Sequence, residues 1–388
     1  MNLLKKSATA ALLLSGFLGA AAHAETPGVT ADKIVFGQSA AFDGPAGALG
    51  TGMHQGLMAA FSAANKAGGV NGRMLEIVKY DDGYEPDQAI ENTKKLIEQD
   101  KVFSIIGAVG TPTSRATQPI ATEAKVPFVG PFTGAGFLRD SANSNVINVR
   151  ATYDQETETW IKHLTEDLGI SKIAILYQDD GFGRVGLAGV NKALEKRGMK
   201  LVAEGTYQRN TTAVKTALLA IRKAEPEAVV MVGAYKPLAE FIKLSKKLKL
   251  DPVFVTISFV GSRALAAELG DQGAGVVISQ VVPFPWDSSI PLVAKYTEDL
   301  KAYDASLEPG FVSLEGYMVG RLTVMALEKA GKDLSRESFL EAVYGTGTFD
   351  LGGAKLEYGP GDNQGMGDVF LSVIQADGSF KSVEKLSK

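Results

Sequence analysis

Hydroxyl side chains concentrated in two short turns are the groups of this chain best placed to hold a small anion. The first turn, GTPTS at 110–114, and the second, GPFTG at 130–134, each follow a short apolar run that ends in glycine. Such runs are typical of buried parallel strands, and turns after neighbouring parallel strands lie where open α/β sheets bind ligands. We therefore expect Thr111, Thr113 and Thr133 to present hydroxyls and backbone N–H groups to one anionic group.

A carboxylate fits two converging turns, because its two oxygens accept about four hydrogen bonds. Thr111 before Pro112 also has the pattern of a helix start, with Thr111 as the residue that caps the helix. In that arrangement the N–H groups of Thr113 and Ser114 would be free to bind the anion. The alternative is that Thr111 only caps its helix.

Side chains for catalysis and metal binding are scarce. The 388 residues include no cysteine and three histidines, His23, His54 and His163. Without cysteine there is no disulfide, no thiolate chemistry and no Cys/His zinc site. His54 and His163 both lie in helical patterns, where a surface or structurally satisfied histidine is the usual explanation. We therefore expect a protein that is not an enzyme and that needs no cofactor and no metal.

The segment GFGRVG at 181–186 matches the G-x-G-x-x-G pattern of dinucleotide-binding turns. Asp179 and Asp180 directly precede it and would repel a pyrophosphate, and exported proteins seldom meet NAD. We favour a loop that lines a cleft, with Phe182 as an apolar wall. A nucleotide-dependent enzyme is the less favoured alternative.

The first 24 residues have the pattern of a secretory signal peptide. Lys5 and Lys6 precede an apolar segment at 8–22, and AHA at 22–24 predicts cleavage after Ala24. The apolar segment is too short for a typical membrane span. Export without disulfides fits a bacterial periplasm. A formal net charge of −4 with interspersed lysines does not indicate binding to nucleic acid or to anionic membranes.

The rest of the chain alternates strands and helices, which is the doubly wound α/β pattern. The length favours two domains. The segments at 145–150 and 280–286 interrupt the alternation and could cross between two lobes. In the second lobe Tyr235 and the pair Ser258 and Phe259 follow predicted strands, so they are candidate cleft residues, with simple packing as the alternative. The predicted units are a signal peptide (1–24), an N-terminal lobe (25–147 and 284–348) and a C-terminal lobe (148–283 and 349–388).

Three parts of the chain resemble the leucine/isoleucine/valine-type (branched-chain amino acid) substrate-binding proteins of ABC transporters. They are the segment at 68–97, the two hydroxyl turns, and YQDDGFGRVG at 177–186. The resemblance implies a type I periplasmic binding protein, with two Rossmann-like lobes that are joined by three crossings and close on a ligand in the cleft. It also implies that Thr111, Phe132 and Thr133 hold the ligand carboxylate, and that the second lobe closes over it through Phe182 and Tyr235.

One position departs from the pattern of that family. The amino-acid-binding relatives have an acidic residue after the fourth strand of the second lobe, where it pairs with the ligand ammonium, and this chain has Ser258 there. An ammonium buried without a partner charge would cost several kcal/mol. Either Glu315 or Asp43 substitutes, or the ligand has no amine. Leu49 stands where the family has an aromatic wall, which reshapes the pocket.

The resemblance implies a monomeric periplasmic protein that captures a small carboxylate-bearing ligand by hinge closure and delivers it to an inner-membrane ABC permease. The ligand would be a branched-chain or other amino acid, or an amine-free organic or aromatic acid. A sensory protein of the same fold, which detects an amide or an amino acid, is the alternative.

Overall fold

The computed structural model describes residues 26–387. The predicted signal peptide and its cleavage site lie outside these residues. No helix within 26–387 has the length and apolar character that a membrane span requires.

Five parallel strands form the first sheet. They are β1 (Lys33–Ala40), β2 (Met74–Asp81), β3 (Ser104–Ile106), β4 (Phe128–Val129) and β5 (Val146–Ile147), and α1 (Gly47–Lys66), α2 (Pro86–Glu98) and α3 (Thr111–Glu123) connect the first four. The order across the sheet is β2-β1-β3-β4-β5, with the reversal beside β1 that defines a doubly wound sheet. The short central strands β3 and β4 are wholly buried, which explains why all of their residues except Ser104 are apolar.

The second series of elements forms the other sheet. It comprises α4 (Tyr153–Glu166), β6 (Ile173–Gln178), α5 (Gly181–Glu195), β7 (Ala203–Tyr207), α6 (Lys215–Arg222), β8 (Ala228–Val232), α7 (Tyr235–Lys247), β9 (Val253–Thr256), α8 (Ser262–Leu269) and β10 (Val277–Gln280). The strands β6 to β10 are parallel to one another. The predicted α/β class with two Rossmann-like sheets is confirmed.

The last third of the chain returns to the first sheet and then to the second. Its elements are α9 (Pro291–Tyr303), α10 (Phe311–Ala330), α11 (Arg336–Thr346), β11 (Thr348–Asp350), β12 (Lys355–Gly359), β13 (Asp362–Gly365), β14 (Phe370–Ile374) and β15 (Phe380–Val383). Strands β11 to β13 form a small antiparallel sheet, and β14 and β15 complete the second sheet in the order β15-β14-β10-β9-β8-β6-β7.

Close packing of α10 on α1 fixes the returning helices against the first lobe. A Cβ atom on Gly56 would lie 1.9 Å from the carbonyl oxygen of Ser313, and one on Gly316 would lie 2.2 Å from that of Met53. The two glycines therefore allow the helix backbones to touch, which places the middle of α10 beside the carboxyl edge of the first sheet.

The chain passes between the two sheets after β5, after β10 and after β13. Strand β13 contacts β5, and the backbone N–H of Asn148 donates to the carbonyl oxygen of Asn363 at 2.9 Å. These contacts favour a third crossing at 366–369, later than the predicted boundary at 348/349. The division of the chain into lobes remains a prediction.

Candidate functional site

The two hydroxyl turns meet at the carboxyl edge of the first sheet. The Oγ1 atoms of Thr111 and Thr133 are 2.7 Å apart, and both residues are fully buried. A bridge between Val109 and Phe132 continues the pairing of β3 with β4 beyond the strands and holds the two turns side by side. The predicted convergence of Thr111 and Thr133 is observed.

Thr111 does not cap α3, so the interpretation that made it the capping residue is wrong. The N-cap is Gly110, with φ of 102°, and Thr111 is the first residue of the helix. Only glycine fits, because this φ is unfavourable for other residues and a Cβ atom would lie 2.2 Å from the Tyr84 ring. The Thr111 hydroxyl is therefore free to face Thr133.

The other two hydroxyls of the first turn have different surroundings. Thr113 Oγ1 donates to the carbonyl oxygens of Val109 and Gly110, so it stabilises the turn itself. The N–H of Ser114 donates to the Gly110 carbonyl at 3.0 Å, which contradicts the prediction that this N–H is free. The buried Ser114 Oγ has no hydrogen-bond partner among the described residues.

Five aromatic rings from both lobes pack beside the hydroxyls. Phe259 lies 5.3 Å from Phe132, 4.7 Å from Phe182 and 5.8 Å from Tyr84, measured between ring centroids. Tyr153 is 5.5 Å from Phe182. Phe132, Phe182 and Phe259 were predicted cleft residues, whereas Tyr84 and Tyr153 were not. The rings make the space next to the hydroxyl turns strongly apolar.

Tyr235 joins the second lobe to the first. It is the first residue of α7, and its hydroxyl accepts a hydrogen bond from the backbone N–H of Ala48 at 3.4 Å. The neighbouring Leu49 is fully buried, and a Cβ atom on Gly261 would lie 2.6 Å from its Cδ2 atom. Leu49 therefore contributes to the interface between the lobes, near Tyr235.

Ser258 belongs to a buried ionic cluster, of which Arg150 and Glu156 were not predicted. Its N–H and its hydroxyl donate to the two oxygens of Glu156, each at 2.9 Å, and the Ser279 hydroxyl donates to Glu156 as well. Arg150 donates to Glu156 Oε1 at 3.2 Å and to Ser258 Oγ. An acidic residue therefore does lie next to Ser258, but it comes from α4 and is already fully bonded.

Arg150 is the centre of this cluster. Its side chain is 0% exposed, yet Nε and Nη1 have no hydrogen-bond partner among the described residues. The guanidinium lies 5.0 Å from the Phe132 ring and 5.7 Å from the Tyr153 ring. Burial alone would lower the pKa of Arg150, but the carboxylates of Glu315 and Glu156 outweigh it and raise the pKa.

Glu315, a predicted alternative counter-charge, lies beside Arg150. Its Oε1 atom is 3.6 Å from Arg150 Nη1, and its side chain is 4% exposed. No hydrogen bond reaches this carboxyl from residues 26–387. Burial raises the pKa of Glu315 to about 7, although the charge of Arg150 opposes the rise.

Arg139 stabilises the second hydroxyl turn through hydrogen bonds to its backbone. It donates to the carbonyl oxygens of Thr133 and Ala135, each at 3.0 Å, and to that of Arg150 at 3.1 Å. Burial, together with the nearby charge of Arg150, lowers the pKa of Arg139 to about 9. These contacts fix the position of Thr133 relative to the ionic cluster.

Asp43, the other predicted counter-charge, is exposed and lies outside the cluster. Its carboxylate accepts from the N–H of Gly44 at 2.6 Å and so caps its own short 3₁₀ turn. The structure therefore brings Glu315 to the cluster and leaves Asp43 away from it.

The G-x-G-x-x-G segment does not fit a dinucleotide. Asp180 caps α5, and its carboxylate accepts from the N–H groups of Phe182 at 2.9 Å and Gly183 at 3.5 Å. A carboxylate of the chain itself thus occupies the helix N-terminus to which a pyrophosphate would bind. Gly183 is needed for packing, because a Cβ atom there would lie 1.8 Å from the Gln178 carbonyl oxygen.

A polar latch connects the lobes at the rim of the cleft. Arg209 pairs with Glu85 of the first lobe at 2.8 Å and with Asp180 of the second at 2.9 Å. Asn210 donates to Glu85 Oε1 at 2.7 Å and to the Gly83 carbonyl at 2.9 Å. Within 26–387, no group of three or more acidic or histidine side chains is arranged to hold a metal ion.

Comparisons with known proteins agree with this architecture. Residues 33–379 match the family model described as "Periplasmic binding protein". The chain is 24% identical over 304 residues to the "Leucine-, isoleucine-, valine-, threonine-, and alanine-binding protein" of Pseudomonas aeruginosa, which covers 78% of this chain and 80% of the relative.

Two solved structures show the same fold. A possible leucine/isoleucine/valine-binding protein from Rhodopirellula baltica is 39% identical, with a TM-score of 0.88 over 92% of this chain and 98% of that one. A fatty acid ABC transporter substrate-binding protein from Thermomonospora curvata is 21% identical, with a TM-score of 0.83 over 93% and 94%. The chain therefore belongs to the periplasmic binding protein family and has the type I fold of its leucine/isoleucine/valine-binding members.

Proposed function

We propose that this protein is the solute-binding component of an ABC transporter, which captures a small carboxylate-bearing compound and delivers it to an inner-membrane permease. The observation that carries the proposal is the convergence of the buried Thr111 and Thr133 hydroxyls, whose oxygen atoms are 2.7 Å apart. Signal-peptide cleavage after Ala24 would release the protein into the periplasm, where this family acts.

The polar groups around the turns support a carboxylate as the shared part of the ligand. Thr111 and Thr133 bring two hydroxyls together. Ser114 Oγ and the Nε and Nη1 atoms of Arg150 have no hydrogen-bond partner within residues 26–387. Each of these groups can donate to a carboxylate oxygen, and a charge-assisted bond is roughly twice as strong as a neutral one. The five aromatic rings would enclose an apolar remainder of the ligand.

Closure of the lobes supplies the mechanism. Contacts between the lobes run through Phe259 with Phe132, through Tyr235 with Ala48, and through Arg209 with Glu85. A ligand that touches both lobes stabilises the closed arrangement, so its binding energy shifts the population from open to closed. The permease would recognise the closed form. No step requires covalent chemistry, which agrees with the substrate-binding role of the relatives.

A thermal-shift screen of the mature protein tests this proposal. The screen includes amino acids, short amides, and aliphatic and aromatic carboxylates. A true ligand at 100 times its dissociation constant stabilises the fold by about 2.7 kcal/mol. We expect at least one carboxylate to raise the melting temperature while its methyl ester does not. If no carboxylate shifts the melting temperature, the proposal is wrong.

A further inference from the structure

A cavity of about 780 Å³ lies where the crossing segment after β10 meets α8 and the hairpin of β14 and β15. Phe284 and Trp286 line it from the crossing segment, and Phe380 lines it from the start of β15. The cavity shares no lining residue with the two hydroxyl turns or with the ionic cluster around Arg150. Pockets that bind small molecules have volumes of roughly 300–1,000 Å³. This cavity is therefore large enough for a ligand of its own.

Aromatic rings form one wall of the cavity. Trp286 stacks on Phe380, with 5.4 Å between the ring centroids and 10° between the ring planes, and it lies 5.1 Å from Phe284. Phe311, the first residue of α10, contacts Trp286 edge to face at 5.5 Å. Trp286 is nevertheless 41% exposed, whereas Trp160, the other tryptophan of the chain, is 1% exposed. The neighbouring rings thus fix the position of Trp286 and leave part of its surface open to solvent.

Carboxylates outnumber cations around the cavity. Its acidic lining residues are Asp271, Glu308 and Asp377, and its basic lining residue is Arg263. Arg263 Nη1 donates to the backbone carbonyl oxygen of Glu308 at 2.8 Å, and the Glu308 carboxylate pairs with Lys301 at 2.5 Å. Asp271 and Asp377 are both exposed. The aromatic wall therefore lies in surroundings with an excess of negative charge.

An organic cation complements both features of the cavity. The face of an aromatic ring attracts an ammonium group, most strongly at tryptophan, and the nearby carboxylates attract the same charge. A neutral molecule of the same shape would pack on the rings but would gain nothing from the carboxylates. An anion would be attracted by Arg263 and repelled by the larger number of carboxylates.

We infer that this cavity is a second binding site of the protein, for an organic ammonium ion whose apolar groups pack on Trp286. The inference does not depend on the proposed function, because the site lies outside the cleft and needs no carboxylate ligand. It also gives a reason for the exposure of Trp286, which binding of a carboxylate at the hydroxyl turns does not explain.

Isothermal titration calorimetry of the mature protein with choline tests this site. Choline carries a trimethylammonium group, and its neutral analogue 3,3-dimethylbutan-1-ol has the same shape without the charge. We expect choline to bind at least about 10-fold more tightly than the alcohol, because the ring face and the carboxylates both attract its charge. The anion 3,3-dimethylbutanoate, which is similar in shape, should bind more weakly than the alcohol.

The variant Asp271→Asn removes one carboxylate of the cavity at an exposed position. We expect its affinity for choline to fall about 3- to 10-fold and its affinity for the alcohol to stay unchanged. The control is Glu268→Gln, which removes the same charge from an exposed position of α8 that does not line the cavity. This control should bind choline like the unaltered protein.

The variant Trp286→Leu removes the aromatic wall and keeps an apolar side chain. We expect it to weaken the binding of choline at least about 10-fold, because leucine has no ring face to attract the cation. Circular dichroism and the melting temperature establish that the variants fold. If Trp286→Leu does not fold, the comparison of Asp271→Asn with Glu268→Gln still decides whether choline binds in this cavity.

Several results would overturn the inference. Equal affinities for choline and the alcohol, or tighter binding of the anion, would show that the site does not select a cation. An equal effect of Asp271→Asn and Glu268→Gln, unchanged choline affinity in Trp286→Leu, or no saturable binding at millimolar concentrations would show that choline does not bind in this cavity. None of these results bears on the capture of a carboxylate in the cleft, which the thermal-shift screen tests separately.

Discussion

The hydroxyls of Thr111 and Thr133 are bonded to each other, and in that pair only one hydroxyl is the donor. A ligand carboxylate would accept from both. Exchange of one neutral hydrogen bond for two charge-assisted bonds is favourable, because bonds to charged groups contribute about 1.5–3 kcal/mol each. The two threonine hydroxyls can therefore bind an anion without a cation in direct contact with them.

The variant Thr111→Val tests whether the hydroxyl pair binds the ligand, since it removes one hydroxyl and keeps the size and branching of the side chain. We expect the ligand affinity to fall about 10- to 100-fold, and the free protein to lose about 1–3 kcal/mol of stability because the buried Thr133 hydroxyl loses its partner. Thr159→Val is the control, because the Thr159 hydroxyl bonds only within its own helix. Equal affinities of the two variants by calorimetry would contradict a ligand role for Thr111.

Arg150→Met tests the buried ionic cluster. Without Arg150, the buried Glu156 carboxyl would have no cation bonded to it, so we expect the free energy of unfolding to fall by about 3–5 kcal/mol. Urea denaturation measures the loss. The double variant Arg150→Met with Glu156→Gln should recover part of it, and failure to recover any would show that packing, not charge, dominates.

Asp82 gives the fold a pH dependence of its own. Burial raises the pKa of Asp82 to about 6, so the folded protein holds this proton more tightly than the unfolded chain. The resulting stabilisation is present below about pH 4 and is lost as the pH rises through 6. We expect Asp82→Asn to be more stable than the unaltered protein by about 2–3 kcal/mol at pH 7.5 and nearly equal to it at pH 4.

Urea denaturation at the two pH values checks this, and an equal difference at both would contradict it.

The residues of the cleft differ in how well the sequence could predict them. Thr111, Phe132 and Thr133 follow consecutive strands, so their position next to one another could be inferred from the alternation of strands and helices. Arg150 gave a weaker signal, as an arginine at the end of a predicted crossing segment. Its partners are Glu156 in α4, Ser258 after β9 and Glu315 in α10. These elements meet through contacts between residues far apart in the chain, which local sequence does not encode.

At the scale of elements, helix starts decide what each turn can bind. Helix α3 begins at a glycine with no side-chain cap, which leaves the Thr111 hydroxyl for a ligand. Helix α5 begins at Asp180, whose carboxylate takes the free N–H groups. The first start can therefore receive an anion, whereas the second cannot, even though the second has the more familiar glycine pattern.

The latch between the lobes yields a prediction at this scale. Arg209→Ala removes the partly exposed pairs with Glu85 and Asp180, each of which contributes about 1 kcal/mol or less. We expect ligand dissociation, measured by stopped flow, to accelerate about 5-fold, and high salt to reduce the difference. Arg184→Ala is the control, since its pair with Asp179 lies within the second lobe. An equal effect of the two substitutions would show that the latch does not hold the lobes together.

At the scale of the whole molecule, alternation of strands and helices was enough to predict two Rossmann-like sheets and the return of the late helices to the first. The small sheet of β11 to β13 was not predicted. The sequence analysis assigned its residues to the C-terminal lobe, whereas β13 contacts β5 of the first sheet. Its strands are short and partly polar, and their position depends on contacts such as that of Asn363 with Asn148, far apart in sequence. Long-range contacts of this kind leave no periodic pattern.

Closure on a carboxylate is the central claim, and small-angle X-ray scattering of the mature protein tests it most directly. The measurement uses the best carboxylate from the thermal-shift screen, with the unaltered protein and with Thr111→Val at equal ligand concentration. We predict that saturating ligand reduces the radius of gyration of the unaltered protein and that Thr111→Val needs a much higher concentration for the same change. A ligand that binds tightly while the radius of gyration stays constant would contradict the account.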